Sequence, residues 1–390
     1  MKSCLIISTY PPRKCGIATF SKDLRDNLIN CIPVSVAAVN DLDDYYDYPI
    51  EVVFQIDQES TDDYIAVAAW VNQQQDIDLV IIQHEYGIYG GQDGENIISL
   101  AIHLNKPYIL VTHTVLTAPS TSRKNVLAGL AGDAAAVICM TARAGNLLER
   151  VYGVNPQKIF VIPHGVPDFG EKNREALKAK YSLQGRRIIT TFGLIGPGKG
   201  LELGLKALAM IVSRHPEAVY IIAGKTHPSL LRSEGEHYRI QIERQVKELR
   251  LERNVVFVNR FLSNEELSDY LYMTDIYLSP YPNLDQAVSG TLSFAVGCGR
   301  CIISTPYEHA QELLASGRGL LANEPTPEDL AELLNRVLKN PQLQKDMEKK
   351  AADLGESLSW VRSAEKYYEI AQKVSKEWIP GYLSTKISWN

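Results

Sequence analysis

The residues best placed for chemistry lie in short loops, each at the end of an apolar run. The clearest loop is Gly193-Leu194-Ile195-Gly196-Pro197-Gly198-Lys199-Gly200. A cation in a glycine loop ahead of a helix is an arrangement for phosphate, because the ammonium and free backbone N–H groups can meet one anion. It is not a Walker loop, since Gly200 and not Ser or Thr follows Lys199. The plainer reading is a structural loop with a solvated lysine. A second candidate is Gln286-Ala287-Val288-Ser289-Gly290-Thr291, which opens a helix of small residues. Ser289, Gly290 and Thr291 there offer N–H groups and two hydroxyls to a diphosphate.

Three further loops lie in the first half. Tyr10 to Thr19 contains Gly16, which permits close approach by a ligand. Gln83 to Gly94 holds His84, Glu85, Tyr86 and Gly87 among four glycines. Small residues admit a ring-shaped polar ligand, aromatics stack on it, and His and Glu bond its hydroxyls. Val111-Thr112-His113-Thr114 ends another apolar run. A lone histidine in such a place is as readily a satisfied structural residue as a ligand. Gly-x-Ser-x-Gly, HExxH and a paired-carboxylate pattern are all absent from the sequence.

The elements that must hold these loops alternate short β-rich runs with amphipathic stretches, the pattern of a parallel α/β fold. Strands are expected at Ser3–Ser8, Leu79–Gln83, Tyr108–Thr112, Ala135–Met140 and Lys158–Ile162. Helices are expected at Ala18–Asn30 and Ala142–Val151, the latter capped by Thr141. A charged stretch, Glu171–Lys180, precedes a second series of strands: Arg187–Phe192, Val219–Ala223, Val255–Val258, Ile276–Ser279 and Cys301–Ser304. The expectation is two doubly wound units, 1–168 and 169–358. A terminal helix, about 359–390, is expected to return to the first unit. Ligands in open α/β sheets bind outside the strand carboxyl ends, so two facing units would share one cleft.

Composition narrows the function. The chain has 390 residues, 45% apolar and 22% charged, with a net charge of −6. Residues 1–168 carry 11 Lys and Arg against 19 Asp and Glu, and Asp41 to Asp63 alone carries nine acids and no base. A nucleic-acid binder needs a basic face, and an anionic membrane attracts Lys and Arg clusters. Both partners are disfavoured. The apolar runs are too short for a transmembrane segment, and a cytoplasmic location is expected. Six cysteines are too few for a disulfide scaffold, and Cys298-x-x-Cys301 lacks a second ligand pair, so no metal site is expected.

Taken in order, the motifs resemble the retaining glycosyltransferases of family GT4, which have the GT-B fold. The resemblance rests on the first glycine loop, the His113 loop, Ile162-Pro163-His164-Gly165-Val166, the Gly193–Gly200 loop and Ala295 to Thr305, and covers nearly the whole chain. It implies sugar transfer from a UDP- or GDP-linked donor to a carbohydrate acceptor, without a cofactor. By position, Gly16 matches the loop near the donor diphosphate and His113 a histidine that contacts the donor sugar. Lys199 matches the phosphate-binding lysine and Glu312 a glutamate after the last glycine turn. The sequence departs from the family at Leu194, where an arginine is usual, and at Gln286 and Phe294, where two glutamates are usual. Cys15-Gly16 stands for Gly-Gly. A run similar to a GT4 subgroup (Gly224 to His227, then Gly235 to Arg239) adds His227, Glu236, Tyr238 and Arg239 as candidates. Composition alone reads Glu236–Arg250 as a solvated helix.

The resemblance assigns catalysis to His113, Lys199 and Glu85. Donor binding falls to Gly16, Gly198, Lys199, Arg260 (a substitute for the missing arginine), Gln286, Ser289, Gly290 and Thr291. Sugar or acceptor binding falls to His84, Tyr86, Gly87, His164, His227, Glu236 and Arg239. Two alternatives stand beside transfer: a GT-B phosphorylase using inorganic phosphate, and a non-catalytic nucleotide-sugar sensor.

Overall fold

The computed structural model describes residues 1–41 and 46–377, and the chain forms two compact units. Unit 1 contains Met1–Gly165 and the segment from Trp360; unit 2 is Val166–Ser359. The division falls three residues earlier than the expected 168, for a local reason. The Val166 N–H donates to Leu358 O at 2.7 Å, and Val166 packs where a side chain on Gly297 would stand, so Val166 belongs to unit 2. Residues 42–45, inside the acidic segment, and the end of the expected terminal helix after 377 lie outside the described residues.

Unit 1 has a seven-stranded parallel sheet in the order β3-β2-β1-β4-β5-β6-β7. The strands are β1 (Ser3–Ser8), β2 (Val34–Asn40), β3 (Val52–Asp57), β4 (Ile77–His84), β5 (Tyr108–Thr112), β6 (Ala136–Cys139) and β7 (Ile159–Val161). Central strands are apolar on both faces because helices cover both: Leu5, Ile6, Ile7, Val80, Ile81 and Ile82 are all fully buried. Several helix starts carry side-chain caps. Thr141 Oγ1 accepts from the Ala144 N–H at 3.1 Å, as its position implied. Cys15 Sγ does the same for Ala18 and is itself 3.1 Å from Thr9 Oγ1.

Unit 2 has a six-stranded parallel sheet in the order β10-β9-β8-β11-β12-β13. Its strands are β8 (Arg187–Phe192), β9 (Ala218–Ala223), β10 (Val255–Val258), β11 (Ile276–Ser279), β12 (Cys301–Ser304) and β13 (Leu320–Leu321). The charged stretch before β8 is a docked element: its helix, Arg174–Lys180, is pinned by ion pairs. Lys172 and Lys180 both reach Asp269 at 2.6 Å, and Lys178 reaches buried Asp275 at 3.0 Å. Leu177 of that helix packs into the core.

Both sheets change winding direction once. The order reverses between β1 and β4 in unit 1, and between β8 and β11 in unit 2. Loops leaving the carboxyl ends of these four strands diverge there and leave a crevice, the usual ligand position in such sheets.

Candidate functional site

In unit 2 the loops after β8 and β11 meet at a cavity of about 530 Å³. The loop after β8 contributes Leu194 and Gly196 to Lys199, and the turn after β11 contributes Tyr281. Gln286 and Val288 to Thr291 line it from the start of the helix Gly290–Gly297, while His227 and Leu230 come from the segment after β9. Seven residues expected from the sequence therefore meet here: Gly198, Lys199, His227, Gln286, Ser289, Gly290 and Thr291.

Glycine is required where these loops approach. Gly200 has φ +59°, and a Cβ there would lie 2.0 Å from Pro280 O at the end of β11. Gly224 has φ +144°, and its Cβ would lie 1.8 Å from Gly193 O. Main-chain bonds then lace the loops together: Ile195 N–H to Lys225 O at 2.7 Å and His227 N–H to Ile195 O at 2.8 Å.

The polar groups of the cavity converge on one atom. Lys199 Nζ donates to Tyr281 Oη and stands 4.5 Å from the centre of the tyrosine ring. Tyr281 Oη is 2.9 Å from Thr291 Oγ1 and 3.4 Å from Ser289 Oγ. The ring of Tyr281 stacks on Tyr307 at 5.0 Å and 13°. Burial pushes the Tyr281 phenol upward, but the Lys199 ammonium and bonds from Lys199, Ser289 and Thr291 outweigh it and hold the phenol below its ordinary range. Ser289 Oγ caps the helix, accepting from Leu292 N–H at 3.3 Å, and Ser289 N–H donates to His309 Nδ1 at 2.8 Å. Among the described residues lining the cavity, Lys199 is the one formal charge at neutral pH. The His227 imidazole is pushed down by burial and by the cations Lys199 and Arg232.

Other expected residues sit elsewhere in unit 2. Arg260 does not stand in for an arginine of the cavity: it is half exposed and ion-paired with Glu266, outside the lining. Arg239 is buried, and its guanidinium supports the loops from behind. It donates to Gly224 O at 2.9 Å, to Thr226 Oγ1 and Glu236 Oε2 at 3.3 Å each, and to Asn259 Oδ1. Glu236 also accepts from Thr226, and Tyr238 is buried and donates to Glu202 at 2.9 Å. The helix His237–Glu248 is thus one-sided, with Tyr238, Arg239, Ile242 and Val246 inward. Glu312 is exposed and outside the lining. Phe294 packs edge-on against Phe169 at 6.1 Å.

Unit 1 gathers a second set at its own switch point. His84 ends β4, fully buried, with both ring nitrogens lacking a hydrogen-bond partner among the described residues. Burial pushes its imidazole down to about 4. His113, one residue beyond β5, bonds Gln83 Oε1 through Nε2 at 2.8 Å. Burial, with His164 and His84 nearby, pushes His113 down to about 3. His164 Nδ1 lies 2.8 Å from Gly165 O, and burial pushes that ring down to about 4. The Phe20 ring stands edge-on to His113 at 4.7 Å and to His164 at 5.1 Å. Glu85 accepts from Thr114 Oγ1 at 2.6 Å and from Tyr86 N–H at 3.0 Å, while burial raises its carboxyl above the usual range. Tyr86 is buried, its ring 5.5 Å from the Arg123 guanidinium. Of the loop's four glycines, three have structural reasons: Gly90, Gly91 and Gly94 have positive φ and a Cβ on each would clash. Gly87, like Gly16, faces open space.

Tyr281, Tyr307 and His309 join the site without any motif that assigns them a role there. The signal for Tyr281 was positional: it follows β11 directly, opposite the Lys199 loop at the switch point. Among the described residues no three His, Cys, Asp or Glu side chains gather as a metal-ligand set, and no helix is long and apolar enough to cross a membrane.

Two family profiles match the chain: "Glycosyltransferase Family 4" over residues 16–168 and "Glycosyl transferases group 1" over 173–354. Among curated relatives, the phosphatidylinositol N-acetylglucosaminyltransferase GPI3 subunit of Saccharomyces cerevisiae is 25% identical over 205 residues, 52% of this chain and 42% of the relative. D-inositol 3-phosphate glycosyltransferase of Rhodococcus jostii is 24% identical over 236 residues, 59% of this chain and 50% of the relative. The chain thus spans about half the length of the curated relatives it matches. Among solved structures, sucrose-phosphate synthase from Thermosynechococcus elongatus aligns with a TM-score of 0.78 at 16% identity, covering 96% of this chain and 99% of that one. Anabaena HepE in complex with UDP and glucose aligns with a TM-score of 0.73 at 16% identity, covering 95% and 99%. At such identities the likeness is one of fold, that of the GT-B glycosyltransferases.

Proposed function

The chain belongs to the family 4 and group 1 glycosyltransferases, and we propose that it transfers a mannosyl or glucosyl group from a nucleotide-sugar to a soluble carbohydrate acceptor, with retention of configuration. One observation carries the reading. The unit 2 cavity sets a lysine, two hydroxyls and the first N–H groups of a helix around one space at the sheet's switch point. That donor set suits a diphosphate. UDP and glucose accompany the HepE neighbour, which makes UDP the first nucleotide to test.

In this reading the sugar–phosphate bond breaks as the acceptor oxygen attacks the same face, and the leaving diphosphate accepts the acceptor's proton. The chain's task is to stabilise charge growing on the phosphate oxygens and to hold both sugars. Lys199 and the N–H groups at Gly290 and Thr291 take the charge. His113, kept neutral by burial and oriented by Gln83, and the Glu85 loop are assigned to the sugars.

The excess acid of residues 1–168 disfavours a lipid-phosphate acceptor, so a neutral or cationic one is proposed. The inositol-bearing names of the relatives make inositol and inositol phosphate the informative controls. A cytoplasmic location fits six cysteines that form no disulfide.

A thermal-shift titration with UDP, GDP and inorganic phosphate tests the reading. Nucleotide stabilisation, then an axial-configured product by NMR from an axial donor, supports it. Stabilisation by phosphate alone would replace it with the phosphorylase reading, which the single formal charge of the lining favours.

A further inference from the structure

Tyr281 is placed as a joint. Its oxygen is the meeting point of Lys199 Nζ, Thr291 Oγ1 and Ser289 Oγ, groups supplied by two separate segments of unit 2. A phenol has one proton and two lone pairs, so one oxygen can accept from the ammonium and still share a bond with a hydroxyl. The joint is itself held. The ring is 3% exposed and stacks on Tyr307, whose hydroxyl is 2.8 Å from Ser279 Oγ at the end of β11. Lys199 sits on a tight turn, Pro197–Lys199, closed by left-handed Gly200. Its long side chain would otherwise wander through several rotamers, at an entropic cost on binding.

We propose that Tyr281 is the positioning residue of the anion site: its hydroxyl ties Lys199 to Ser289 and Thr291, so that the cation and the helix start meet one phosphate together. The inference rests on the donor-site reading above, but it concerns any diphosphate that enters the cavity. When the anion arrives, Lys199 turns its donors to the phosphate, and the phenol keeps its proton more tightly because the new negative charge lies beside it.

Inorganic pyrophosphate is the probe, with Tyr281→Phe, Lys199→Met and the double variant measured by calorimetry. Tyr281→Phe keeps the ring on Tyr307 and removes only the oxygen. The expected result is about tenfold weaker pyrophosphate binding in Tyr281→Phe, with a much smaller further effect of that change once Lys199 is absent. A second measurement needs no variant to fold. In the wild type, the ultraviolet signal of tyrosinate should show one phenol ionising below the ordinary range, and pyrophosphate should move that ionisation upward. Binding by Tyr281→Phe within about twofold of wild type, additive losses in the double variant, or no binding of pyrophosphate by the wild type would each overturn the proposal. Pyrophosphate binding with this coupling, but without UDP or GDP binding, leaves the proposal standing while the nucleotide-sugar reading falls.

Discussion

Lowering the pH from 7 to 5 should weaken unit 1 selectively, through its buried imidazoles. His84 and His113 are held at about 4 and about 3, by burial first and for His113 also by its histidine neighbours. In an unfolded chain both titrate near 6.5. The folded values lie below the unfolded one, so between them the native state binds fewer protons than the unfolded chain. Their stabilisation is complete above the unfolded value and is lost on descending toward the folded ones. From pH 7 to pH 5 each costs about 2 kcal/mol, or about 4 kcal/mol together. His164 is pushed the same way but is half-buried and adds less. Two acids oppose the loss. Burial raises Asp23 to about 6 and also raises Glu85, so the native state gains protons from them. Asp23 restores about 1 kcal/mol before solvent screening. The net loss, about 3 to 4 kcal/mol, corresponds to a melting shift of roughly 10 °C for a unit of this size. Tryptophan fluorescence isolates the unit: Trp70 and Trp360 belong to unit 1, and Val166–Ser359 contains no tryptophan. His84→Phe removes a ring whose nitrogens make no hydrogen bond among the described residues, and should abolish about 2 kcal/mol of the acid loss. A tryptophan-reported transition that moves less than about 2 °C between pH 7 and 5, or an unchanged slope in His84→Phe, would refute the reasoning.

Three further outcomes are expected. Lys199→Ala should lower turnover by about 10²-fold or more while leaving the unit 2 melting transition in place, and near-normal kcat would remove Lys199 from the donor site. Gly224→Ala, which forces a Cβ into Gly193 O, should cost about 3 kcal/mol or more and weaken diphosphate binding; chemical denaturation and calorimetry read the two effects. Arg239→Ala should destabilise unit 2 by about 2 to 3 kcal/mol by unfastening Gly224, Thr226 and Asn259, measured as a shift in the urea midpoint. Arg239→Lys should recover only part of that loss, because an ammonium cannot reproduce the guanidinium fork.

Much of this architecture was readable from local pattern. Runs such as Tyr108–Thr112 and Val255–Val258 are apolar, bounded and β-rich, and their observed strands begin and end where expected. Strands β2 and β3 both lie outside the expected set, although Val34–Asn40 is apolar and buried; β3 lacks a continuous apolar run because its edge position leaves Val53 and Gln55 exposed. Strand β13, only two residues long, carries no period at all. Lys199 and Ser289 to Thr291 were legible because loop glycines and helix-start hydroxyls advertise anion binding locally. Tyr281 and Arg239 were harder for a different reason. Their roles come from partners 82 and 15 positions away, to Lys199 and Gly224. Sequence shows a tyrosine in a proline turn and a basic residue on a helix, and only topology makes one a joint and the other a brace.

Unit 1 is assembled from two stretches of chain separated by all of unit 2. Trp360 fills the space over Gly165, where any Cβ would lie 2.2 Å from its ring, and its ring stands 4.8 Å from Phe20. The helix from Trp360 to Glu377 also packs along the helix Gly16–Leu28. A ribosome that has made residues 1–165 has therefore not made the cover for Phe20. Unit 2, continuous in the chain, can close during synthesis, whereas the unit that starts first must wait for the helix Trp360–Glu377. Until then the Phe20 surface is an exposed apolar patch that a chaperone can recognise.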